Sequence, residues 1–590
     1  MTDSIFPAPG RWFWFSLGAV SIFFHLYLVF SGMTPHMISR PIHMALAAPW
    51  TLIFIAKTPL ARWIGCFLTA LAIACCAYIV LNEELLSDQY GALHGNLQLV
   101  IAVTLVLVTL EMARRSISWP LPFVAVLALG YGLLGKYIPG EFGYPGLPIK
   151  SFLGTLTIAE GGLWGQLTGV SVSIVSIFVI MGAVLNAGEA GQGFMNLATA
   201  VAGRLKGGAA KVSVLSSALF GSISGSASAN VASTGAITLP AMTKLGYPKS
   251  LAGAVEAVAS SGGQIMPPLM GAGAFVMVEL TGVPYNDIMG AALLPAILYF
   301  MTVWVGINAF ALRYDLRGVA EENLPNRKAV FTTAMFFVIP FAILLERMFI
   351  GGYTPQYAAC VAILAAFLLL FVDVDLNFSI PRFLERLQTV AINSGKQIST
   401  IAAIILCASI VIGVLGQTGL GVKITSLIIS GSGHALWPAL ILSGIACLVL
   451  GMEVPTTAAY VICVSVAGPA LQELGLDPLI THLFVFWFAL LSTITPPVCG
   501  AVFIAAGMVG ENWLKIAGSA MALGIGLYLI PLGMVANPAL TQLFNTPLLA
   551  LLVFVKLGVS LGAVSFGIIA PKSLGVRIFL VVFGLIGIFI

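Results

Sequence analysis

Apolar runs of bilayer-spanning length recur along the whole chain. They fall near residues 12–32, 42–56, 63–81, 97–113, 118–137, 165–187, 290–312, 330–350, 355–372, 513–534, 546–569 and 575–590. A membrane helix needs about 20 such residues, so the pattern predicts an all-α polytopic membrane protein. The first four runs form a compact set joined by short loops. The first 11 residues are polar enough to stay outside the bilayer, and no small-x-small cleavage site follows the 12–32 run. That run is therefore read as a retained span and not as a removed signal segment. Two stretches, 188–285 and 390–510, are apolar but interrupted by Gly, Pro, Ser and Thr. Such interruptions mark helices that pack very closely or stop inside the membrane.

Charge supplies the orientation. Arg11, then Lys57 with Arg62, then Arg114 with Arg115 occupy alternate loops, whereas the loop with Glu83, Glu84 and Asp88 has no Lys or Arg. The positive-inside rule places the N-terminus in the cytoplasm. Carried forward, it puts Arg204, Lys206 and Lys211 on the same side as Lys244 and Lys249, although 212–243 is apolar. A segment that enters and leaves from one side is a re-entrant hairpin. The segment also repeats. At an offset of 230, Gly191, Gly221 and Pro248 fall on Gly421, Gly451 and Pro478. At 229, Pro267-Pro268 falls on Pro496-Pro497 and Gly271-Ala272 on Gly500-Ala501. Residues 171–300 thus recur as 401–530. The second copy carries only Lys423 and His434 before its hairpin, so this hairpin is expected to enter from outside. Two re-entrant helical hairpins in opposite senses make an inverted-repeat transporter.

Composition narrows the function. Of 590 residues, 59% are hydrophobic and 8% charged, against about 25% charged in a soluble domain. Nothing is left for a large extramembrane catalytic domain, and a net charge of +4 does not suggest nucleic acid. Eight Cys lie in apolar runs without a C-x-x-C pair and read as small core residues. His25, His36, His43, His94, His434 and His482 show no metal-binding spacing and read as loop or interface residues. Gly395-Lys396 lacks the upstream Gly and following Ser or Thr of a phosphate loop, so ATP hydrolysis is not expected. An intramembrane enzyme would need a catalytic dyad or a metal cluster, and the sequence offers neither.

The candidate chemistry sits at the interruptions. The first hairpin tip, Gly221 to Asn230, sets Ser224, Ser226, Ser228 and Asn230 among glycines. The second, Gly451 to Thr457, offers Glu453, Pro455, Thr456 and Thr457. Broken helices present free carbonyls to cations and free N–H groups to anions. Ser226, Asn230, Thr456 and Thr457 make a candidate Na⁺ site. Downstream of each hairpin lies a matching break, with Gly262, Gly263, Gln264, Pro267 and Pro268 in the first and Ser492, Thr493, Thr495, Pro496 and Pro497 in the second. Two tips meeting two breaks at midplane would form one site for substrate and ion. Glu256 and Glu453 are the acidic residues within spans that stand out, because intramembrane carboxylates are costly. For Glu453 a proton carrier and a capping carboxylate both remain open. Lys and Arg are nearly absent from this predicted site, so an anionic substrate is expected to rely on helix N-termini and on hydroxyl or amide donors.

The segments GSISGSASANVASTGAITLP (221–240), AGAVEAVASSGGQIMPPLMGAGAF (252–275) and GMEVPTTAAYV (451–461) resemble the fused permease subunits of TRAP transporters, most nearly the TAXI type. The resemblance extends over nearly the whole chain. Residues 1–115 look like the four-helix small subunit, and 116–590 look like the large transport subunit. It implies an elevator-type transporter in the bacterial inner membrane, with a periplasmic TAXI-type solute-binding protein as partner. The implied cargo is a small organic acid, driven by Na⁺ or H⁺ as coupling ion, with no other cofactor. The family pattern has Gly-Leu where this chain has Glu453-Val454. A stand-alone ion-coupled carboxylate carrier is the alternative, and the four-helix block at 1–115 favours the fused permease.

Overall fold

A bilayer offers no water to unpaired backbone groups, so spanning segments must satisfy them within a helix. The computed structural model describes residues 8–32, 34–451, 455–497 and 499–590, with the backbone alone at Ala8, Pro9 and Ser224. Glu453 lies outside the described residues.

The helices run in order as α1 (Ala8–Phe30), α2 (His36–Pro49), α3 (Pro59–Leu81), α4 (Glu83–Ser87), α5 (Gly95–Ile117), α6 (Pro120–Leu134), α7 (Ile149–Thr157), α8 (Gln166–Val170) and α9 (Ser176–Ala187). The first repeat continues with α10 (Ala190–Ala202), α11 (Gly208–Ser224), α12 (Ala227–Lys244), α13 (Lys249–Gly262), α14 (Gly271–Thr281) and α15 (Tyr285–Tyr314). Between the repeats lie α16 (Arg327–Leu345) and α17 (Pro355–Leu369), leading into α18 (Ile380–Thr418). The second repeat adds α19 (Leu420–Gly431), α20 (Leu436–Leu450), α21 (Thr456–Glu473), α22 (Pro478–Leu491), α23 (Gly500–Val509), α24 (Trp513–Leu523) and α25 (Ile525–Ala536). The chain closes with α26 (Pro547–Ile569) and α27 (Leu574–Phe589). Ten helices among the described residues are long and apolar enough to cross a membrane. The chain is an all-helical polytopic membrane protein.

One expectation fails in an informative way. The stretch from 390 is not broken at its glycines, because α18 runs unbroken for 39 residues. Its glycines admit neighbours instead. Gly395 faces the Trp50 indole and Gly413 the carbonyl of Gly161, each so closely that a methyl group would clash. This helix is the spine of the first half, and α1, α2, α5, α6 and α9 all pack on it.

Histidines expected at loops or interfaces lie inside. His25 and His43 are fully buried and joined at 2.8 Å, and His43 reaches Ser171 Oγ at 3.0 Å. This polar chain ties α1 to α2 and to the turn before α9, satisfying three groups that lipid would leave unpaired. His482 is buried and bonded to the Tyr460 hydroxyl at 2.7 Å. All eight Cys are free, and Cys66 alone is exposed.

The two repeats match element for element. Each has a hairpin (α11–α12 and α20–α21), a helix that stops early (α13 and α22), a Pro-Pro segment, and a short helix (α14 and α23). Both Pro-Pro bonds are cis. The short helices are exchanged: α14 packs on α21 and α22, while α23 packs on α12 and α13. Gly273 of α14 lies against the Phe486 ring, and Met508 of α23 lies near Gly235.

Candidate functional site

The hairpin arms have 15–18 residues, about 22–27 Å of helix, short of a hydrocarbon core of about 30 Å. The first tip turns at Gly225, whose φ of +61° suits glycine. Ser226 then caps α12, its hydroxyl accepting from the Ala229 N–H at 3.3 Å. Hairpin and break touch through bare backbone: a Cβ on Gly221 would lie 2.4 Å from Gly263 Cα. At the matching place in the second repeat, Gly451 lies against the Ser492 side chain.

Both tips and both breaks open onto one cavity of about 770 Å³. Ser226, Ser228, Gln264, Pro455, Thr456, Thr457, Ser492 and Thr493 line it, as do Gly271 and Gly500. Four helices, α12, α14, α21 and α23, start at this wall. Their N-termini carry partial positive charge and unpaired N–H groups, which favour an anion. The ends of α11, α20 and α22 adjoin the same space through Gly225, Gly451 and Ser492, and the partial negative charge of a helix C-terminus favours a cation. The hydroxyls of Ser228, Thr456 and Thr457 make no hydrogen bond to another described residue. Gln264 donates from Nε2 to the Gly225 carbonyl at 3.0 Å, and its Oε1 is buried without a partner among the described residues.

Other expected site residues do not line the cavity. Asn230 is fully buried, and its amide donates to the carbonyls of Ser217 at 2.9 Å and Ser260 at 3.3 Å. It therefore stitches α11, α12 and α13 together behind the cavity that Ser226, Thr456 and Thr457 line. Of the four residues expected to hold Na⁺, Ser226, Thr456 and Thr457 line the cavity with neutral hydroxyls. Gly262 supports the break by admitting the Tyr299 ring. Thr495 is bonded to the Tyr528 hydroxyl at 2.7 Å and to the Leu491 carbonyl. Gly263, Pro267, Pro268, Pro496 and Pro497 shape the breaks without facing the cavity.

Glu256 sits behind the first hairpin, fully buried. Ser213 donates to its carboxylate at 2.7 Å, Ser260 at 3.2 Å and Ser217 at 3.4 Å, and Thr234 and Thr238 are in close contact. No Lys or Arg joins this cage among the described residues. Each threonine hydroxyl also reaches a backbone carbonyl, Asn230 at 2.8 Å and Thr234 at 3.0 Å. With one proton per hydroxyl, the threonines can donate to the carboxylate or to the carbonyl. The cage thus accommodates Glu256 with or without a proton and without moving heavy atoms.

The sequence reading missed one face of the cavity. Asn393, Lys396, Gln397 and Thr400 of α18 line it, together with Asn186 of α9. A lysine is present after all where cations were thought nearly absent. The signal was available: these four polar residues recur at i, i+3, i+4 and i+7, one stripe on a single helix.

Comparison with known proteins agrees with this architecture. Residues 104–549 match the family described as "Tripartite ATP-independent periplasmic transporter, DctM component". The C4-dicarboxylate TRAP transporter large permease protein DctM of Pseudomonas aeruginosa is 27% identical over 337 residues, covering 57% of this chain and 77% of that protein. The isethionate TRAP transporter permease protein DctMQ of Oleidesulfovibrio alaskensis is 26% identical over 428 residues, 67% of this chain and 64% of that one. The ectoine/5-hydroxyectoine TRAP transporter large permease protein UehC of Ruegeria pomeroyi is 22% identical over 427 residues, 70% and 95% respectively. These relatives are transport permeases and not enzymes. With about three quarters of its length matched, the chain belongs to the DctM large-permease family of TRAP transporters.

Proposed function

We propose that the chain is a fused TRAP permease of TAXI type, which imports a small organic acid handed over by a periplasmic solute-binding protein. Family membership supports secondary transport of organic acids across the bacterial inner membrane. The observation that carries the reading is the single cavity onto which both hairpin tips and both helix breaks open. Helix N-termini there suit a carboxylate, while free hydroxyls and helix C-termini suit a coupling cation, Na⁺ or H⁺. The relatives' names support a small organic cargo, a C4-dicarboxylate in one and isethionate in another. Residues 1–103 precede the family match, and their resemblance to a small subunit supports fusion within one chain. The Lys and Arg pattern supports a cytoplasmic N-terminus, and the exchanged short helices support an inverted pair that moves as an elevator against its scaffold. The test is uptake into proteoliposomes holding the purified chain, with labelled carboxylates under an inward Na⁺ or pH gradient. Uptake should require a TAXI-type binding protein on the outside and collapse with one of the two gradients. Full uptake without that protein would establish a stand-alone carrier instead.

A further inference from the structure

We propose that Lys396 is the counter-charge that seats the substrate's carboxylate in the cavity, and so selects anions. The inference rests on the transport reading and names the residue that gives the site its charge preference. Lys396 is the only charged residue between Arg386 and Lys423. Ten residues past Arg386, it lies about 15 Å farther along the helix, about half the thickness of a hydrocarbon core. A charge within such an apolar spanning segment is costly unless it faces water or a partner.

Its direction is set from behind. Gly395 is packed against the Trp50 indole, and Ser394 and Ile398 are buried, so that side of α18 is closed. The open side carries Asn393, Lys396, Gln397 and Thr400 into the cavity. Lys396 is exposed there, and its ammonium has no ion pair or hydrogen bond to any described residue. No described lining residue is acidic. Cavity water solvates the ammonium while the site is empty. A ligand that displaces this water must bring its own negative charge, or leave the lysine uncompensated. The helix N-termini on the facing wall bias the cavity in the same direction.

Thermal unfolding of the purified full-length chain in nanodiscs tests this without knowing the natural cargo. The probes are the sodium salts of glycolate, L-malate, succinate and L-glutamate, with sodium chloride at matched sodium and the corresponding neutral amides as controls. At least one carboxylate should raise the melting temperature of the wild type, and its amide should not. Lys396→Gln and Lys396→Met should keep the unliganded melting temperature and weaken apparent carboxylate affinity about tenfold or more. Lys396→Arg, which keeps the charge, should retain a measurable response and guards against a variant that fails to fold. A neutral variant that responds to carboxylate like the wild type overturns the proposal, as does a wild type that responds to no carboxylate or equally to the amide. Uptake measured in parallel keeps the two readings apart. Carboxylate binding that depends on Lys396 in a chain that transports none of the probes would leave the anion site standing and sink the transport reading.

Discussion

Ser261 Oγ and Thr493 Oγ1 meet at 2.8 Å across 232 residues of sequence. Each belongs to the break of its own repeat, so the two interrupted helices are tied directly to one another. Each hydroxyl also has its own backbone carbonyl, Ala257 at 2.8 Å and Leu490 at 2.7 Å. A double-mutant cycle with Ser261→Ala and Thr493→Val should therefore show a modest coupling, about 0.5–1 kcal/mol. Strictly additive losses in thermal unfolding would show that the contact contributes nothing.

Removing the buried carboxylate separates shape from charge. Glu256→Ala removes the shared acceptor of five hydroxyls, leaves those of Ser213 and Ser260 without a partner and opens a void, and should destabilise by roughly 2–5 kcal/mol. Glu256→Gln keeps the volume and should insert and fold. It can neither carry negative charge nor exchange a proton, so gradient-driven uptake should fall at least about tenfold if the cage serves coupling. Uptake at the wild-type rate in a folded Gln variant would make the cage structural only.

The polar residues of the first tip divide by what they touch. Asn230→Ala removes the amide that bonds the buried carbonyls of Ser217 and Ser260 and should lower stability by about 1–3 kcal/mol. Ser228→Ala and Thr456→Ala remove hydroxyls that face the cavity unbonded, and should change melting by less than about 0.5 kcal/mol while reducing uptake. Unfolding curves and uptake rates on the same preparations decide it. Loss of uptake at Asn230 with no loss of stability would contradict this division.

Close approach at the tip predicts a third contrast. A methyl at Gly221 would meet Gly263 Cα at 2.4 Å and Asn230 Nδ2 at 2.6 Å, so Gly221→Ala should cost about 1–3 kcal/mol. Gly416, on the same kind of apolar helix, has nothing within 4 Å. Gly416→Ala should be neutral or stabilise by up to about 1 kcal/mol. Melting temperatures of the two variants compared side by side provide the measurement.

Much of the site was legible because polar, Gly and Pro clusters stand out against an apolar background. Hence both hairpins, both breaks and the repeat appear in the sequence. Two features did not. Lys396 was considered only as part of a failed phosphate loop, a linear pattern, whereas its meaning lies in the helical stripe with Asn393, Gln397 and Thr400. The continuity of α18 was hidden because glycine marks both breaks and close packing, and only the neighbours Trp50 and Gly161 decide between them. The cage of Glu256 lies between these cases. Ser213 and Ser217, and Thr234 and Thr238, are each four residues apart, one helical turn on facing arms, a spacing that could have linked them to the one carboxylate.

The exchange of α14 and α23 constrains how the protein is made. The α14 helix is complete at Thr281, but α21, against which it rests, begins at Thr456. Synthesis of the residues between them takes roughly 9–35 s at about 5–20 residues per second. Throughout that interval α14 has first-half neighbours on one side, with Phe275 stacked between Phe178 and Tyr285, while the face that will meet α21 and α22 has only lipid or insertion machinery for company. The first half therefore leaves the ribosome with its central wall missing, and the cavity comes into being only when the second half arrives.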